Sequence, residues 1–168
     1  MSNERILVIG GNGSGKTTFS IALAEKLNLP LVHLDRLGWR GDWEMVPREE
    51  FDVLLAEELK KPQWIIDGSY SRTLPGRLKY CDAVIYFDFS TARCLYGVLS
   101  RIVKNRGKSR SDMGGNCPEK LDMTFLKNVT TFNQKNRRKY YRLIEEAEVK
   151  EVIVFKNRRQ AKRYLSKI

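Results

Sequence analysis

The chain has little of the chemistry that builds metal centres and disulfide frameworks. Its 168 residues include one histidine, His33, and three widely spaced cysteines, Cys81, Cys94 and Cys117, with no Cys-x-x-Cys pair. An odd number of cysteines at this spacing disfavours a disulfide framework and a four-cysteine zinc site, and one histidine excludes a histidine-rich metal site. Long apolar runs are also missing, because the longest, such as residues 83–87, are strand-sized and well short of the roughly 18 residues of a membrane span.

The N-terminal segment lacks the features of a secretion signal. Its apolar stretch, residues 6–9, has four residues, which is too short for the core of a signal peptide. We therefore expect a cytoplasmic protein with no membrane partner. With 42% hydrophobic and 10% aromatic residues, the composition is that of a globular chain, and its length predicts one domain over residues 1–168.

Acidic residues are scarce in the second half of the chain. Residues 1–92 hold 11 Lys and Arg against 13 Asp and Glu, whereas residues 93–168 hold 20 against 7. Much of the excess lies in three blocks without an acidic residue, at 101–110, 135–142 and 156–168. This asymmetry indicates a polyanionic partner, either the phosphates of a small ligand or a nucleic acid, although any one block could be an ordinary solvated surface.

Short apolar runs alternate with longer amphipathic segments along the chain. The runs predict strands at 6–9, 31–34, 64–66, 83–87 and 152–155. The amphipathic segments predict helices at 15–27, 48–60, 90–104 and 121–147, with a closing helix after the fifth strand. Gly97 weakens the helix at 90–104, and the Gly-, Ser- and Lys/Arg-rich segment 105–118 is typical of a mobile loop. Strands separated by helices favour an α/β fold with a mainly parallel sheet covered on both faces.

A glycine-rich loop between the first strand and the first helix is the most specific motif. Residues 10–17 fit the phosphate-binding pattern of Gly, four residues, and Gly-Lys-Ser/Thr. Glycines let successive backbone N–H groups converge on phosphate oxygens, Lys16 reaches the β- and γ-phosphates, and the Thr17 hydroxyl completes a Mg²⁺ shell. A chance glycine turn is disfavoured by the strand–loop–helix context, so the motif predicts nucleoside triphosphate binding. The predicted binding residues are Gly11, Asn12, Gly13, Ser14, Gly15, Lys16, Thr17 and Thr18.

Two carboxylates follow predicted strands, at the edge where parallel sheets build their sites. Asp67 follows the third strand and is the predicted Mg²⁺ residue, together with Thr17. Asp35 follows the second strand and is the candidate for holding or deprotonating an acceptor hydroxyl. Either could instead cap a turn or a helix. Asp88 is predicted to begin the next helix. His33 points either into the core or across from the site, and core packing is favoured.

Aromatic residues near the second and third strands have two interpretations. Trp39 and Trp43 lie four residues apart in a segment without helical character, and Tyr70 follows the third strand. These rings could wall an acceptor pocket, or they could anchor surface loops against the body of the protein.

The sequence resembles the adenylate-kinase-like branch of small P-loop kinases, and within it the DNA topology modulation proteins. The resemblance rests on the loop at 10–18, on residues 33–35 and 67–70, on the two tryptophans, and on the run 84–101, and it covers nearly the whole chain. It implies a single P-loop NTPase domain with a five-stranded parallel sheet in the order 2-3-1-4-5. It also implies ATP with Mg²⁺ and a mobile basic lid at about 105–118.

The resemblance further assigns roles to the arginines. Arg101, at the end of the helix before the lid, corresponds to residues that contact the ATP phosphates, and Arg106 and Arg110 lie in the lid itself. Arg137 or its neighbour Arg138 reaches inward from the helix that returns from the lid. One correctly placed arginine contributes about 10³–10⁵ in the rate of phosphoryl transfer.

The resemblance also implies that adenine lies beside the loop after the fifth strand, at residues 157–159, with Asn157 and Arg158 as the predicted binding residues. The predicted catalytic residues are Lys16, Asp35, Arg101 and Arg137. True adenylate kinases follow the third strand with Asp-Gly-Phe-Pro-Arg, whereas residues 67–72 read Asp-Gly-Ser-Tyr-Ser-Arg, which disfavours AMP as the acceptor.

These observations predict a Mg-dependent kinase that transfers the γ-phosphate of ATP to an unidentified small acceptor of nucleotide or nucleoside type. The main alternative is an ATP-binding protein that influences DNA topology through its basic face, for which we expect only weak nucleic-acid binding. A P-loop protein with weak hydrolysis and a regulatory role is a third possibility.

Overall fold

A five-stranded parallel sheet organises the chain, for which the computed structural model describes residues 4–105, 117 and 122–168. The strands are β1 (Arg5–Gly10), β2 (Leu31–His33), β3 (Trp64–Asp67), β4 (Ala83–Phe87) and β5 (Glu151–Phe155). They pair in the order β2-β3-β1-β4-β5, and every pair is parallel. The predicted α/β class and strand order are therefore confirmed.

The five predicted helices are present, together with shorter ones. The helices are α1 (Lys16–Leu27), α2 (Leu34–Gly38), α3 (Arg48–Lys60), α4 (Leu74–Leu78), α5 (Thr91–Lys104), α6 (Met123–Glu146) and α7 (Arg158–Leu165), with a 3₁₀ turn at Gly41–Trp43. The sequence analysis did not predict the short helices α2 and α4, because five residues are too few to show a 3.6-residue period of apolar positions. One consequence is that β2 ends at His33, so that Leu34 and Asp35 belong to α2.

The sheet is buried on both faces, as its uninterrupted apolar strands predict. Along β1, Ile6 and Val8 point to one face, where they pack with side chains of α1, α5 and α7 such as Phe19. Leu7 and Ile9 point to the other face and pack with side chains of α3, α4 and α6. This double coverage leaves the loops at the carboxyl ends of the strands as the place where a site can open.

Gly97 lies where α5 packs directly against the glycine-rich loop. A Cβ atom at this position would lie 2.0 Å from the carbonyl oxygen of Gly13. The glycine that weakens the helix prediction is therefore the residue that allows this close approach.

The helix α5 has nearly the predicted bounds, but the residue that begins it is not Asp88. Ser90 is its N-cap and accepts a hydrogen bond from the backbone N–H of Arg93, so Asp88 does not start the helix. The predicted lid, including Arg106 and Arg110, lies almost wholly outside the described residues, which include only Asn105 and Cys117 of that segment. Within the described part of the chain, no helix combines the length and apolarity needed to cross a bilayer.

Candidate functional site

A cleft of about 1580 Å³ opens at the carboxyl ends of the strands, where the sequence analysis expected the site. It is bounded by the glycine-rich loop after β1, the ends of β2 and β3, and faces of α5, α6 and α7. The predicted site residues that line it are Asn12, Gly13, Ser14, Gly15, Lys16, Thr17, Thr18, Asp35, Asp67, Arg101 and Arg158.

The loop has the curled backbone that its glycines predict. Gly13 and Gly15 are left-handed, with φ of 80° and 93°, and a Cβ on Gly13 would lie 2.2 Å from the carbonyl oxygen of Cys94. The buried Ser14 hydroxyl donates to the carbonyl of Gly11 at 2.8 Å and closes the curl. No described side chain caps the start of α1, so its N-terminal N–H groups suit an anion in the cleft.

Lys16 is buried at the floor of this loop. Its Nζ donates to the carbonyl oxygen of Gly11 at 3.1 Å, which holds the ammonium group beside the curl. Burial of an ammonium group is unfavourable without charged or polar partners, and phosphate oxygens would provide them. A buried ammonium group beside the curl of the loop is suited to binding a phosphate group there.

Thr17, His33 and Asp67 meet at one carboxylate oxygen. The Thr17 hydroxyl donates to Asp67 Oδ2 at 3.0 Å, and His33 Nδ1 lies 3.2 Å from the same oxygen. The β2–β3 register pairs His33 with Asp67, so the strands themselves bring the two side chains together. His33 is buried, as the favoured core packing predicts, and it also lines the cleft, which is the alternative orientation.

The other oxygen of Asp67 makes this group fit a magnesium ion. Asp67 Oδ1 is buried and has no hydrogen-bond partner among the described residues. An unsatisfied buried carboxylate oxygen is costly, and Mg²⁺ is commonly held by one or two carboxylates together with water and phosphate oxygens. The predicted pair of Thr17 and Asp67 thus offers suitable oxygen donors in contact with each other.

Asp35 and Tyr70 also meet in the cleft, in the segments that follow β2 and β3. The Tyr70 hydroxyl donates to Asp35 Oδ1 at 3.0 Å, and its ring stacks on Phe51 with centroids 5.0 Å apart. Burial, together with the charge and hydrogen bond of Asp35, raises the pKa of Tyr70 far above its usual range. Tyr70 therefore remains a protonated donor and fixes one oxygen of the carboxylate that we predicted to face the acceptor.

Arg77 is a buried residue of this region that the sequence analysis missed. Its guanidinium donates to the carbonyls of Gly68 at 2.9 Å, Ser69 at 2.7 Å and Tyr70 at 3.2 Å. Burial lowers the pKa of Arg77 to about 10. Arg77 thereby holds the loop that carries Tyr70, which has a left-handed φ of 25°, into the cleft.

Arg101 and Arg158 reach the cleft from the side of α5 and α7. The Arg101 guanidinium lies 6.0 Å from the centre of the Phe125 ring. Arg158 donates through Nη2 to the carbonyl of Gly13 at 3.2 Å, next to the point where Gly97 contacts the loop. Arg158 therefore lies beside the phosphate-binding loop, and Arg101 lines the same cleft.

Arg137 does not lie where it was predicted. Its Nε and Nη2 donate to Asp88 Oδ2 at 3.1 and 2.9 Å, and Tyr141 and Lys156 donate to the same oxygen. The buried Asp88 carboxylate at the end of β4 thus gathers the cationic groups around it, and Arg137 is not among the residues that line the cleft. Its predicted inward orientation is corrected accordingly.

Asn157 also uses its side chain elsewhere. It is the N-cap of α7 and accepts a hydrogen bond from the backbone N–H of Gln160 at 3.0 Å. It does not line the cleft, whereas its neighbour Arg158 does.

No protein-family signature matches the chain, and no curated protein matches its sequence significantly. Solved structures do match. Shikimate kinase from Bacteroides thetaiotaomicron is 18% identical, with a TM-score of 0.57, over 99% of this chain and 96% of that one. Shikimate kinase from Acinetobacter baumannii, in complex with shikimate, is 17% identical, with a TM-score of 0.59, over 99% and 90%.

A third structure, described as a candidate kinase from Chloroflexus aurantiacus, is 16% identical, with a TM-score of 0.54, over 97% of this chain and 95% of that one. At these identities the matches establish that the chain shares the fold of these structures. Membership of the DNA topology modulation family stays a prediction.

Proposed function

We propose that the protein is a Mg·ATP-dependent phosphotransferase that acts on a hydroxyl group of a small acceptor. The observation that carries this proposal is the meeting, in one cleft, of a phosphate-binding loop and two carboxylates from the ends of adjacent strands. The fold shared with shikimate kinases, one of which is complexed with shikimate, supports a small hydroxyl compound as the acceptor class.

The residues of the loop would bind and orient the triphosphate. Backbone N–H groups of the curl and the ammonium group of Lys16 neutralise phosphate oxygens, and Thr17 and Asp67 would hold Mg²⁺. When bound, the ion would supply positive charge that offsets the negative charge developing during transfer. Arg158 beside the loop and Arg101 in the same cleft add positive charge.

Asp35 would act on the acceptor. Tyr70 donates to one of its oxygens and so holds the carboxylate in a fixed orientation. A carboxylate in this position can accept a hydrogen bond from the acceptor hydroxyl and take its proton during transfer. Positioning and charge neutralisation supply most of the catalysis of phosphoryl transfer, so a fixed carboxylate suits this role.

Three substitutions separate these roles. We expect Lys16→Ala to abolish the rise in thermal unfolding temperature caused by Mg·ATP. Asp67→Asn should weaken the Mg²⁺ dependence of ATP binding and turnover, and Asp35→Asn should keep Mg·ATP binding but lose transfer. The measurements are thermal unfolding with and without Mg·ATP, and ADP release with a panel of nucleosides, nucleotides and small hydroxyl compounds.

Two results would contradict the proposal. The assignment of the phosphate site is wrong if Mg·ATP raises the unfolding temperature of Lys16→Ala as much as that of the unmodified protein. The division of roles is wrong if Asp35→Asn and Asp67→Asn lose Mg·ATP affinity equally, because Asp35 would then belong to the metal side.

One observation favours a second candidate function, nucleic-acid binding. A shallow groove of about 320 Å³ on α6 is lined by Lys135, Arg138, Lys139 and Arg142. Such a face suits a phosphate backbone, and binding would then fall with salt by about 0.9 log units per log unit of salt for each phosphate contacted. We expect weak duplex DNA binding near physiological salt. Submicromolar affinity at that salt, unaffected by saturating ATP and lost in Arg138→Glu, would favour this second function.

A further inference from the structure

A turn that carries two tryptophans forms one wall of the cleft beside Asp35. We call residues 39–45 the tryptophan turn. Trp39, Trp43 and Met45 from this turn line the cleft, next to the end of β2. Because the turn adjoins the proposed acceptor carboxylate, its chemistry bears on what the acceptor is, and the inference below rests on the proposed function.

The turn is closed by its own backbone and includes strained residues. Trp39 pairs with Met45 in an antiparallel bridge, and the N–H of Arg40 donates to the carbonyl of Glu44 at 2.7 Å. Asp42 and Trp43 have left-handed φ values of 58° and 62°. Strained non-glycine residues cost free energy and cluster at ligand-binding sites, so their presence in a cleft wall indicates a binding role.

The two indole rings are held against each other and remain partly accessible. Their centroids are 5.6 Å apart, and their planes meet at 79°. Both side chains are only partly buried, whereas the third tryptophan, Trp64, is completely buried in the core. Trp39 and Trp43 therefore keep indole surface accessible to a ligand in the cleft, which Trp64 does not.

The segment that carries Asp35 and the tryptophan turn adds no positive charge to the cleft wall, and the described cations that line the cleft come from α1, α5, α6 and α7. No arginine or lysine within residues 31–80, all of which are described, lines the cleft. Three guanidinium groups of this segment are bound by other partners. Arg40 donates to Glu50 at 2.6 Å, Arg72 forms two hydrogen bonds with Asp52 at 2.8 and 2.6 Å, and Arg77 binds backbone carbonyls. A carboxylate or phosphate group on the acceptor would meet Asp35 here without an opposing cation from this segment.

We propose that the acceptor is a nucleoside, meaning an uncharged planar heteroaromatic ring that bears a sugar hydroxyl. Its ring lies against Trp39 and Trp43, and its hydroxyl lies at Asp35. In the transfer, the O–H bond of the acceptor breaks, its proton goes to the Asp35 carboxylate, and its oxygen bonds to the γ-phosphorus. The bond from that phosphorus to the β–γ bridging oxygen breaks, and ADP leaves with the electron pair.

Tryptophan fluorescence and steady-state kinetics test this inference directly. Trp64 provides an internal reference, because it is fully buried and outside the cleft. We expect adenosine, guanosine, cytidine or thymidine to quench the fluorescence of the unmodified protein, and shikimate and glycerol to leave it unchanged. The Trp43→Leu and Trp39→Phe variants should lose part of this quenching. Stacking on one aromatic side chain predicts that Trp43→Leu raises the KM for the nucleoside by about tenfold or more, with the KM for ATP unchanged.

Tyr96→Leu is the matched control, because Tyr96 is an exposed aromatic residue of α5 that does not line the cleft. It should match the unmodified protein in quenching and kinetics. If a Trp39 variant fails to fold, the Trp43 variant, whose side chain lies at the tip of the turn, still decides the question.

The outcomes distinguish this inference from the proposed function. The acceptor inference is overturned if no nucleoside quenches the fluorescence, or if a non-aromatic compound is phosphorylated in preference and Trp43→Leu has no effect. In either case Mg·ATP binding, measured separately by thermal unfolding, tells whether the proposed kinase function stands. If the unmodified protein does not bind Mg·ATP, the proposed function itself is refuted.

Discussion

Adding one methyl group at Gly97 should separate α5 from the phosphate-binding loop. A Cβ there would lie 2.0 Å from the Gly13 carbonyl oxygen and 2.7 Å from Nη2 of Arg158. Real Cβ contacts are essentially never shorter than 3.0 Å, so backbone atoms of the helix or the loop must move by about 1 Å in Gly97→Ala. The obstructing atom belongs to the backbone and not to a flexible side chain, which makes relaxation difficult.

The size of the effect follows from two opposing contributions. Alanine is favoured over glycine inside a helix by up to about 1 kcal/mol, whereas overpacking of a close contact costs about 1–3 kcal/mol. We expect a net loss of up to about 2 kcal/mol in the free energy of unfolding, which is a fall of roughly 4–8 °C in Tm. A displacement of about 1 Å in a segment that positions a substrate can also lower activity by about 10²-fold. Because Gly13 belongs to the phosphate-binding loop, we expect Mg·ATP binding to weaken as well.

Gly76→Ala is the control for this prediction. Gly76 lies in the helix α4, and no described atom lies within 4 Å of the Cβ it would gain. We expect this variant to match the unmodified protein or to gain about 0.4–1 kcal/mol. Urea unfolding and the Mg·ATP-induced shift of Tm measure both variants. If Gly97→Ala behaves as Gly76→Ala does in both assays, the packing of α5 against the loop is not as described.

Two further substitutions test buried groups that sequence analysis did not identify. Arg77→Met should lower the free energy of unfolding by about 2 kcal/mol, because the part-buried carbonyl of Gly68 loses its guanidinium donor and that of Ser69 keeps only a hydrogen bond from Tyr140 at 3.5 Å; an unchanged urea midpoint would refute this. Burial acts to raise the pKa of Asp88, but hydrogen bonds from Lys156, Tyr141 and Arg137 outweigh it and lower the pKa. The ionised carboxylate therefore stabilises the fold above its unfolded pKa of about 3.9, and this stabilisation is lost as the pH falls through the lower folded value. Asp88→Asn should be less stable at neutral pH and should show a smaller loss on acidification; an identical stability–pH profile would contradict the ion cluster.

Local features of the sequence were enough to predict the sheet and the phosphate-binding loop. Apolar runs of strand length, separated by amphipathic segments, lead to a parallel α/β sheet because crossover connections leave few other arrangements. The glycine spacing at 10–17 predicts the curled backbone because Gly13 and Gly15 must adopt left-handed conformations. Asp35 and Asp67 were predicted to lie at this edge because parallel strands all end on the same side.

Side-chain partners could not be predicted in the same way, because they depend on how separate elements are aligned. The β2–β3 register brings His33 to Asp67, and a shift of one residue would turn His33 to the other face of the sheet. The rotation of α6 about its axis carries Arg137 to Asp88 instead of the cleft.

The sequence by itself determined the sheet, the loop and the edge at which the site opens, because short-range backbone preferences and the period of apolar residues specify them. The tertiary structure alone decided which charged groups face that edge. A buried carboxylate binds whichever cations the packing of distant elements brings within hydrogen-bonding distance, and sequence spacing does not encode that distance.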